Sequence, residues 1–544
     1  MRRTERLGYT TVGGMHMKKR TMVVSFMLTW AILLSVGRVA HLSLGTTYGS
    51  VARQQSLFTL SIQPIRGKIY DRNGLPLTQQ ESVQKVAFAA TPQVISYVHR
   101  ACLGQEKQTL LSLLSGRRPF LWQTKTAFAV KGATVFQCSN LHPSWQSAVH
   151  SVGYTDGSGT IGLSGMEKAF QQLLYTGTSQ TITYACDAAG GSLAGVLPQI
   201  DTPKFSLDFG VYTTLNRALQ QTVEEVFPKS FNGAVVVQKA GSGELLALHS
   251  APAFSPADLS AALQDGRFPM LNRYLTPYNV GSIFKLCVAA AALEQGISPD
   301  FVYTCTGSIH CSLDFACHKT EGHGELTMGE AMAQSCNTYF IHLADQIGGQ
   351  AVYDMALSMG LGQSIYLCDD VIGQKGQLPD LSELLRSPAE LANFAIGQGV
   401  FLATPLQISA LVNAIANGGV YFTPRLVAKT VDGKGAQRMM HVMPGKRIIS
   451  PKTAGLLSDM MQAVTANGTG KLAQPVIAAA GKTATAQTGM QTEDGQPITQ
   501  AWFTGFFPAA EPQYCVTVLV ENGKSGGSDA APIFKAICEK MELS

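Results

Sequence analysis

A serine three residues before a lysine gains chemical meaning at the start of an apolar helix. Residues 277–288 read Pro-Tyr-Asn-Val-Gly-Ser-Ile-Phe-Lys-Leu-Cys-Val, with Gly281 breaking the extended piece ahead of Ser282. The spacing predicts a helix over 282–295 with Ser282 in its first turn and Lys285 on the same face. The free N–H groups of a helix start can stabilise an oxyanion beside such a hydroxyl. A lysine in apolar surroundings has its pKa lowered and becomes a base. Ser-x-x-Lys alone is a weak signal, and Ser82-Val-Gln-Lys85 repeats it with no helix or glycine hinge, so the second copy is read as chance. The first copy has partners downstream. Ser335-Cys336-Asn337 lies within Met-Ala-Gln-Ser-Cys-Asn-Thr-Tyr-Phe, which reads as a buried helix connection, and Lys482-Thr483-Ala484-Thr485 follows the run Val476–Gly481. Gly481-Lys482-Thr483 is no phosphate loop, because that pattern needs a glycine where Val476 stands.

Eleven cysteines, an odd number, are spread thinly and make no disulfide scaffold. Cys305, Cys311, Cys317 and Cys336 cluster with His310, His318 and His323. Zinc sites are built from closely paired ligands, and neither a Cys-x-x-Cys nor a His-x-x-x-His pair occurs here. The expectation is therefore no metal and no cofactor. Buried thiols are the plain reading, and a disulfide within the cluster is the alternative.

The elements that must position these residues follow from periodicity. Gly233–Lys239 and Glu244–Ser250 read as a β-hairpin, after a helix over 214–227. Helices are expected over 282–295, 326–347 and 405–417, and strands over 475–485, 501–507 and 514–521. A last helix spans 531–541. Two strands, then helices, then three strands make an α+β domain whose antiparallel sheet is assembled from both ends and flanked by helices. Between Ser61 and Thr78, Asn73-Gly74 marks a turn.

The chain has 544 residues, 45% hydrophobic and 14% charged, which excludes disorder and a charged coiled coil. Its net charge of +5 comes from Arg2, Arg3, Arg6, Lys18, Lys19 and Arg20 less Glu5, and the remainder is balanced, so nucleic acid is not an expected partner. Residues 21–37 carry no charge, Arg38 follows, and apolar character continues to Leu44. That length spans a bilayer, and the flanking Lys18-Lys19-Arg20 puts residues 1–20 in the cytoplasm and the body outside. No small-x-small cleavage site follows, so a retained anchor is expected rather than a signal peptide.

Ser-x-x-Lys, Ser-x-Asn and Lys-Thr-x in this order resemble the signature of penicillin-binding proteins and serine β-lactamases. The chain resembles a class B penicillin-binding protein, a D,D-transpeptidase of bacterial cell-wall synthesis. Further likeness lies in Arg66-Gly-Lys-Ile-Tyr-Asp-Arg-Asn-Gly74 and in Gly162-Leu-Ser-Gly-Met-Glu167, both read as structural. Gly397-Gln-Gly399, Thr404-Pro-Leu-Gln407 and Trp502-Phe-Thr-Gly505 extend it, so the likeness covers roughly residues 60–540. It implies a cytoplasmic tail (1–20), a transmembrane anchor (21–44), an elongated mixed pedestal (45–228) and a transpeptidase domain (229–544).

It also implies roles. Ser282 is the nucleophile, Lys285 its base, Ser335 a proton relay, Asn337 a ligand of Lys285 or of the substrate amide, and Lys482 a cation lowering the pKa of Lys285. Thr483 and Thr485 grip the substrate carboxylate, with Ala484 between them, and the N–H groups of Ser282 and Thr485 form the oxyanion hole. Stem peptides ending in D-Ala-D-Ala are the implied substrates, β-lactams the inhibitors, and a membrane glycosyltransferase a partner. Ala484 replaces the family's usual glycine, which predicts altered affinity rather than lost chemistry. A Cys317–Cys336 disulfide would lock the cleft under oxidising conditions. The competing functions are a catalytically degenerate scaffold of a wall-synthesis complex and a β-lactam sensor or β-lactamase.

Overall fold

The computed structural model describes residues 14–44, 56–79, 81–492 and 494–542. Helix α1 (Gly14–Leu44) contains a 25-residue apolar span, Lys19–Ser43. At about 1.5 Å per residue such a span exceeds the ~30 Å hydrocarbon core of a bilayer. Met22, Phe26, Trp30 and Leu34 on it are exposed. Most of the basic tail, residues 1–13, lies outside the described residues.

The chain forms two compact units. The first takes residues up to 62, 83–138 and 180–202. Its strand β1 (Ser82–Phe88) lies between β2 (Phe120–Gln123) and β3 (Ala133–Ser139), and α2 (Pro92–Ala101) and α3 (Gly104–Ser115) supply the other half of its core. Val86, Phe88, Val94, Val98, Leu110 and Leu114 are buried together there. The Thr91 side chain accepts the Val94 N–H at the start of α2. Ser82 and Lys85 stand on β1, a strand, where residues three apart face opposite sides.

The second unit takes residues 63–82, 139–179 and 203–544. Arg66 and Glu167, from the two stretches read as structural, form a buried ion pair. Burial pushes the Glu167 carboxyl up, against the pull of the guanidinium. The Asn73-Gly74 turn is present, with Asp71 Oδ1 accepting the N–H groups of Asn73 and Leu75 and Gly74 at φ +81°.

Helix α4 (Arg217–Val226) leads into β4 (Gly233–Lys239) and β5 (Leu245–Ala251). Helices α5 (Lys285–Glu294), α6 (Met328–Ala333), α7 (Asn337–Ile347), α8 (Pro405–Ala416) and α9 (Pro451–Ala466) follow. Strands β6 (Ala480–Gln491), β7 (Pro497–Phe507) and β8 (Tyr514–Glu521) and helix α10 (Ala531–Glu542) close the chain. The sheet runs β5-β4-β8-β7-β6 with antiparallel neighbours throughout, assembled from both ends as the periodicity implies. One face packs on α4 and α10 through Leu219, Val223, Val518 and Phe534. The other packs on α5, α7, α8 and α9 through Val288, Phe340, Leu411 and Leu457.

Two helices depart from expectation. The segment predicted as one helix over 326–347 is two, α6 and α7, broken at Ser335 and Cys336. The segment predicted as a helix from Ser282 begins as a 3-10 turn, Gly281–Phe284, before α5 takes over.

Candidate active site

The turn carrying Ser282 is fixed from both sides. Gly281 has φ +65°, its N–H donates to the Gly397 carbonyl at 2.9 Å, and a Cβ on Gly397 would stand 2.1 Å from the Gly281 oxygen. The approach therefore requires glycine at Gly397. Upstream, Tyr278 Oη donates to Glu521 at 2.6 Å, Arg273 pairs with Glu521 at 3.0 Å, and Trp502 Nε1 donates to the Asn279 carbonyl at 2.9 Å. The Trp502–Gly505 and Gly397–Gly399 stretches thus act as buttresses of the serine turn. Thr404 and Gln407 form a capping box at the start of α8.

Ser335 occupies the position after the end of α6 where glycine usually stands. Its N–H donates to Met332 O and that of Cys336 to Ala331 O, the paired bonds of a Schellman ending. Its φ is +55°, a left-handed conformation that costs a residue with a Cβ about 1–2 kcal/mol. The strain turns the hydroxyl toward two ammonium groups. Lys285 Nζ donates to Ser335 O at 2.7 Å, to Ser335 Oγ at 3.3 Å and to Asn337 Oδ1 at 2.7 Å. Lys482 Nζ donates to Ser335 Oγ at 3.0 Å and to its neighbour's carbonyl, Thr483 O, at 3.0 Å.

Both lysines are fully buried. Burial lowers the Lys285 pKa to about 7, against the opposing pull of Cys336 and Cys317. Burial, reinforced by Lys285, holds Lys482 well below its ordinary value. Two cations so close in a dry site cannot both stay charged at low cost, so a neutral amine is available near neutral pH.

The lysines lie beneath a cleft of about 750 Å³ lined by Ser282, Ser335, Asn337, Thr483, Ala484 and Thr485. Its floor is β6, the terminal strand of the sheet. Thr483 Oγ1 and Thr485 Oγ1 are anchored by Thr469 Oγ1 at 2.6 Å and the Gly526 N–H at 3.2 Å. Ala484 shares a strand face with Lys482 and Ala486, where its Cβ would be only 3.5 Å from a Cβ built on Gly281. Its methyl is buried against a residue that has none, so the carbon added to the usual glycine fills space under the serine turn.

All eight residues singled out in the sequence therefore meet at one place. Gln398 of the Gly397–Gly399 stretch also lines the cleft, and Thr469, Gln487 and Ser525, which line it too, were missed.

In the cysteine cluster, Cys305, Cys317 and Cys336 are free and buried, as the plain reading expects. Sγ of Cys305, Cys317 and Cys336 and a ring nitrogen of His323 all lie within 4.8 Å of one another, although no short paired spacing announces them. Cys317 Sγ and Cys336 Sγ are 3.9 Å apart and unbonded. The thiol hydrogen bond draws Cys317 down and pushes Cys336 up. Cys311 is half-buried outside the group, and His310 pairs with Asp314 at the surface.

Comparison with known proteins adds likenesses of three kinds. The family model described as the penicillin binding protein transpeptidase domain matches residues 233–539. Stage V sporulation protein D of Bacillus subtilis is 28% identical, over 96% of this chain and 85% of its own. Peptidoglycan D,D-transpeptidase PbpA of Mycobacterium tuberculosis is 30% identical, over 60% of this chain and 72% of its own. Among solved structures, penicillin-binding protein 3 of Mycobacterium tuberculosis complexed with ampicillin superposes with a TM-score of 0.65 at 24% identity. That match covers 89% of this chain and 96% of the other, and it establishes a shared fold.

Proposed function

The chain belongs to the class B penicillin-binding proteins, and from that premise we propose that it is a serine D,D-transpeptidase cross-linking peptidoglycan stem peptides. The observation that carries the reading is the buried network Lys285–Ser335–Lys482 with Asn337, opening on the cleft that Ser282 lines. Ser282 Oγ attacks the carbonyl carbon of the penultimate D-Ala as neutral Lys285 accepts its proton. The N–H groups of Ser282 and Thr485 receive the oxyanion, and each such donor is worth ~3 kcal/mol in the transition state. The proton then passes through Ser335 to the departing nitrogen, the C–N bond breaks, and terminal D-Ala leaves an ester on Ser282. An amine of a second stem peptide attacks that ester, forms the cross-link and returns the proton, restoring the serine.

Asn337 holds Lys285 and the donor's amide, while Thr483 and Thr485 bind the terminal carboxylate. β-Lactams present a matching carboxylate and a strained amide to the same groups and acylate Ser282. We further infer that α1 is a single-pass anchor, with residues 1–20 cytoplasmic and the remainder extracytoplasmic. On this reading residues 45–228 form the pedestal and 229–544 the transpeptidase domain, beside a membrane glycosyltransferase that supplies strands. The test is labelling of the full chain with fluorescent penicillin. Labelling that disappears in Ser282→Ala supports the reading, and an unlabelled, well-folded wild type overturns it.

A further inference from the structure

We propose that Cys305, Cys317, His323 and Cys336 hold a zinc ion in a closed, four-coordinate site that clamps the wall of the cleft around Ser335. The three thiols are at most 2% exposed, and His323 is half-buried.

The distances fit an ion at the centre. Ligands at about 2.3 Å for sulfur and about 2.05 Å for nitrogen, arranged tetrahedrally, stand about 3.8 Å apart as sulfur pairs and about 3.6 Å apart as sulfur–nitrogen pairs. Cys317 Sγ lies 3.9 Å from Cys336 Sγ, and His323 Nδ1 lies 3.5 Å from Cys305 Sγ and 3.6 Å from Cys317 Sγ. Three thiolates and one imidazole are a donor set that selects zinc over magnesium or calcium.

Polar side chains also approach the sulfurs. Thr338 Oγ1 lies 3.4 Å from Cys336 Sγ, and His318 Nδ1 lies 3.9 Å from Cys317 Sγ. Polar contacts of this kind orient metal-bound sulfur. The loop that delivers the ligands is folded tightly on itself: a Cβ on Gly307 would stand 1.9 Å from Thr320 O, and one on Gly322 2.3 Å from Cys305 O. An open groove lined by His318, Lys319, Glu321 and His323 gives the ion a way in. On binding, the three thiols release their protons to solvent and four bonds to the metal form.

The consequence lies in the sequence order. Cys336 stands between Ser335 and Asn337, so a ligand bond there fixes the main chain carrying both side chains that hold Lys285. Cys305 and His323 flank a two-stranded ribbon, Tyr303–Cys305 with Gly324–Leu326, and Cys317 follows the hairpin Ser308–Ala316. Without an ion, packing and hydrogen bonds alone hold these pieces to one another. A Cys317–Cys336 disulfide would remove two of the four ligands, so disulfide and metal exclude one another.

The test uses the full chain purified in detergent without chelator. About one zinc per chain is expected by elemental analysis, and replacement by Co²⁺ should give thiolate-to-cobalt charge-transfer absorption with tetrahedral ligand-field bands. Cys305→Ser and His323→Ala should each weaken Zn²⁺ binding at least tenfold, whereas Cys311→Ser should leave it unchanged. Stripping the ion should slow penicillin acylation, and added Zn²⁺ should restore it. A reduced wild-type chain that binds neither Zn²⁺ nor Co²⁺ at micromolar concentration overturns the proposal, as does a Cys317–Cys336 disulfide in the protein as isolated. The metal measurements do not involve Ser282, so a chain that binds zinc without ever acylating would support this site while refuting the transpeptidase reading.

Discussion

Replacing Ser335 by glycine and, separately, by alanine divides what the residue does into two measurable parts. Both variants lose the hydroxyl that receives Lys285 and Lys482. They differ only in the backbone, since alanine keeps a Cβ at φ +55° and glycine does not. Relief of the left-handed conformation is worth about 1–2 kcal/mol to glycine. Its greater freedom in the unfolded chain gives back about 0.4–1 kcal/mol. The net expectation is that Ser335→Gly is more stable than Ser335→Ala by about 0.5–1 kcal/mol, a melting shift of roughly 1–3 °C in a protein of this size. Acylation by fluorescent penicillin should fall about 10²–10⁴-fold in both, the range for a lost proton relay. Thermal unfolding of the full chain in detergent, paired with labelling kinetics, reads both quantities. An alanine variant as stable as the glycine one would refute the strain argument, and rapid acylation by either would refute the relay.

Acylation should rise with pH through a midpoint near 7, because Lys285 serves as base only when neutral. A flat rate between pH 6 and 8 would contradict that role. The same lysine sets a stability trend: between about 7 and its unfolded value of 10.5 the unfolded chain holds a proton that the folded chain lacks. Its contribution to stability therefore grows as pH rises through that window and declines as pH falls. Gly397→Ala should cut acylation about 10²-fold by displacing the Gly281 carbonyl and with it Ser282; unchanged labelling would show that the turn is not held there. Arg66→Met leaves Glu167 buried and unpaired, so a loss of about 3–5 kcal/mol is expected from calorimetry or denaturant melts, with Ser282 labelling preserved in the folded fraction.

The sheet was legible because its strands announce themselves. Apolar–polar alternation is absent from β4, yet its unbroken run Ala234–Val237, buried on both faces, still reads as a central strand. The candidate-site residues were legible because three short motifs, each weak alone, stand in one order along the chain. The break at Ser335 was legible only as a connection within Met332–Phe340: the run from Leu326 to Ile347 still reads as one helical segment, and the left-handed backbone of one serine leaves no periodic trace. The meeting of Cys305, Cys317, His323 and Cys336 escaped for a different reason. Its donors come from a ribbon, a hairpin end and a helix start, and no local period encodes their convergence.

Because β6 closes one side of the sheet, a peptide lying along it can be welcomed as an additional strand. Recognition of that sort attends to the guest's amide rhythm and chirality more than to its side chains. Methylating a donor-peptide nitrogen that faces the strand should therefore impair turnover more than exchanging a side chain that points to solvent.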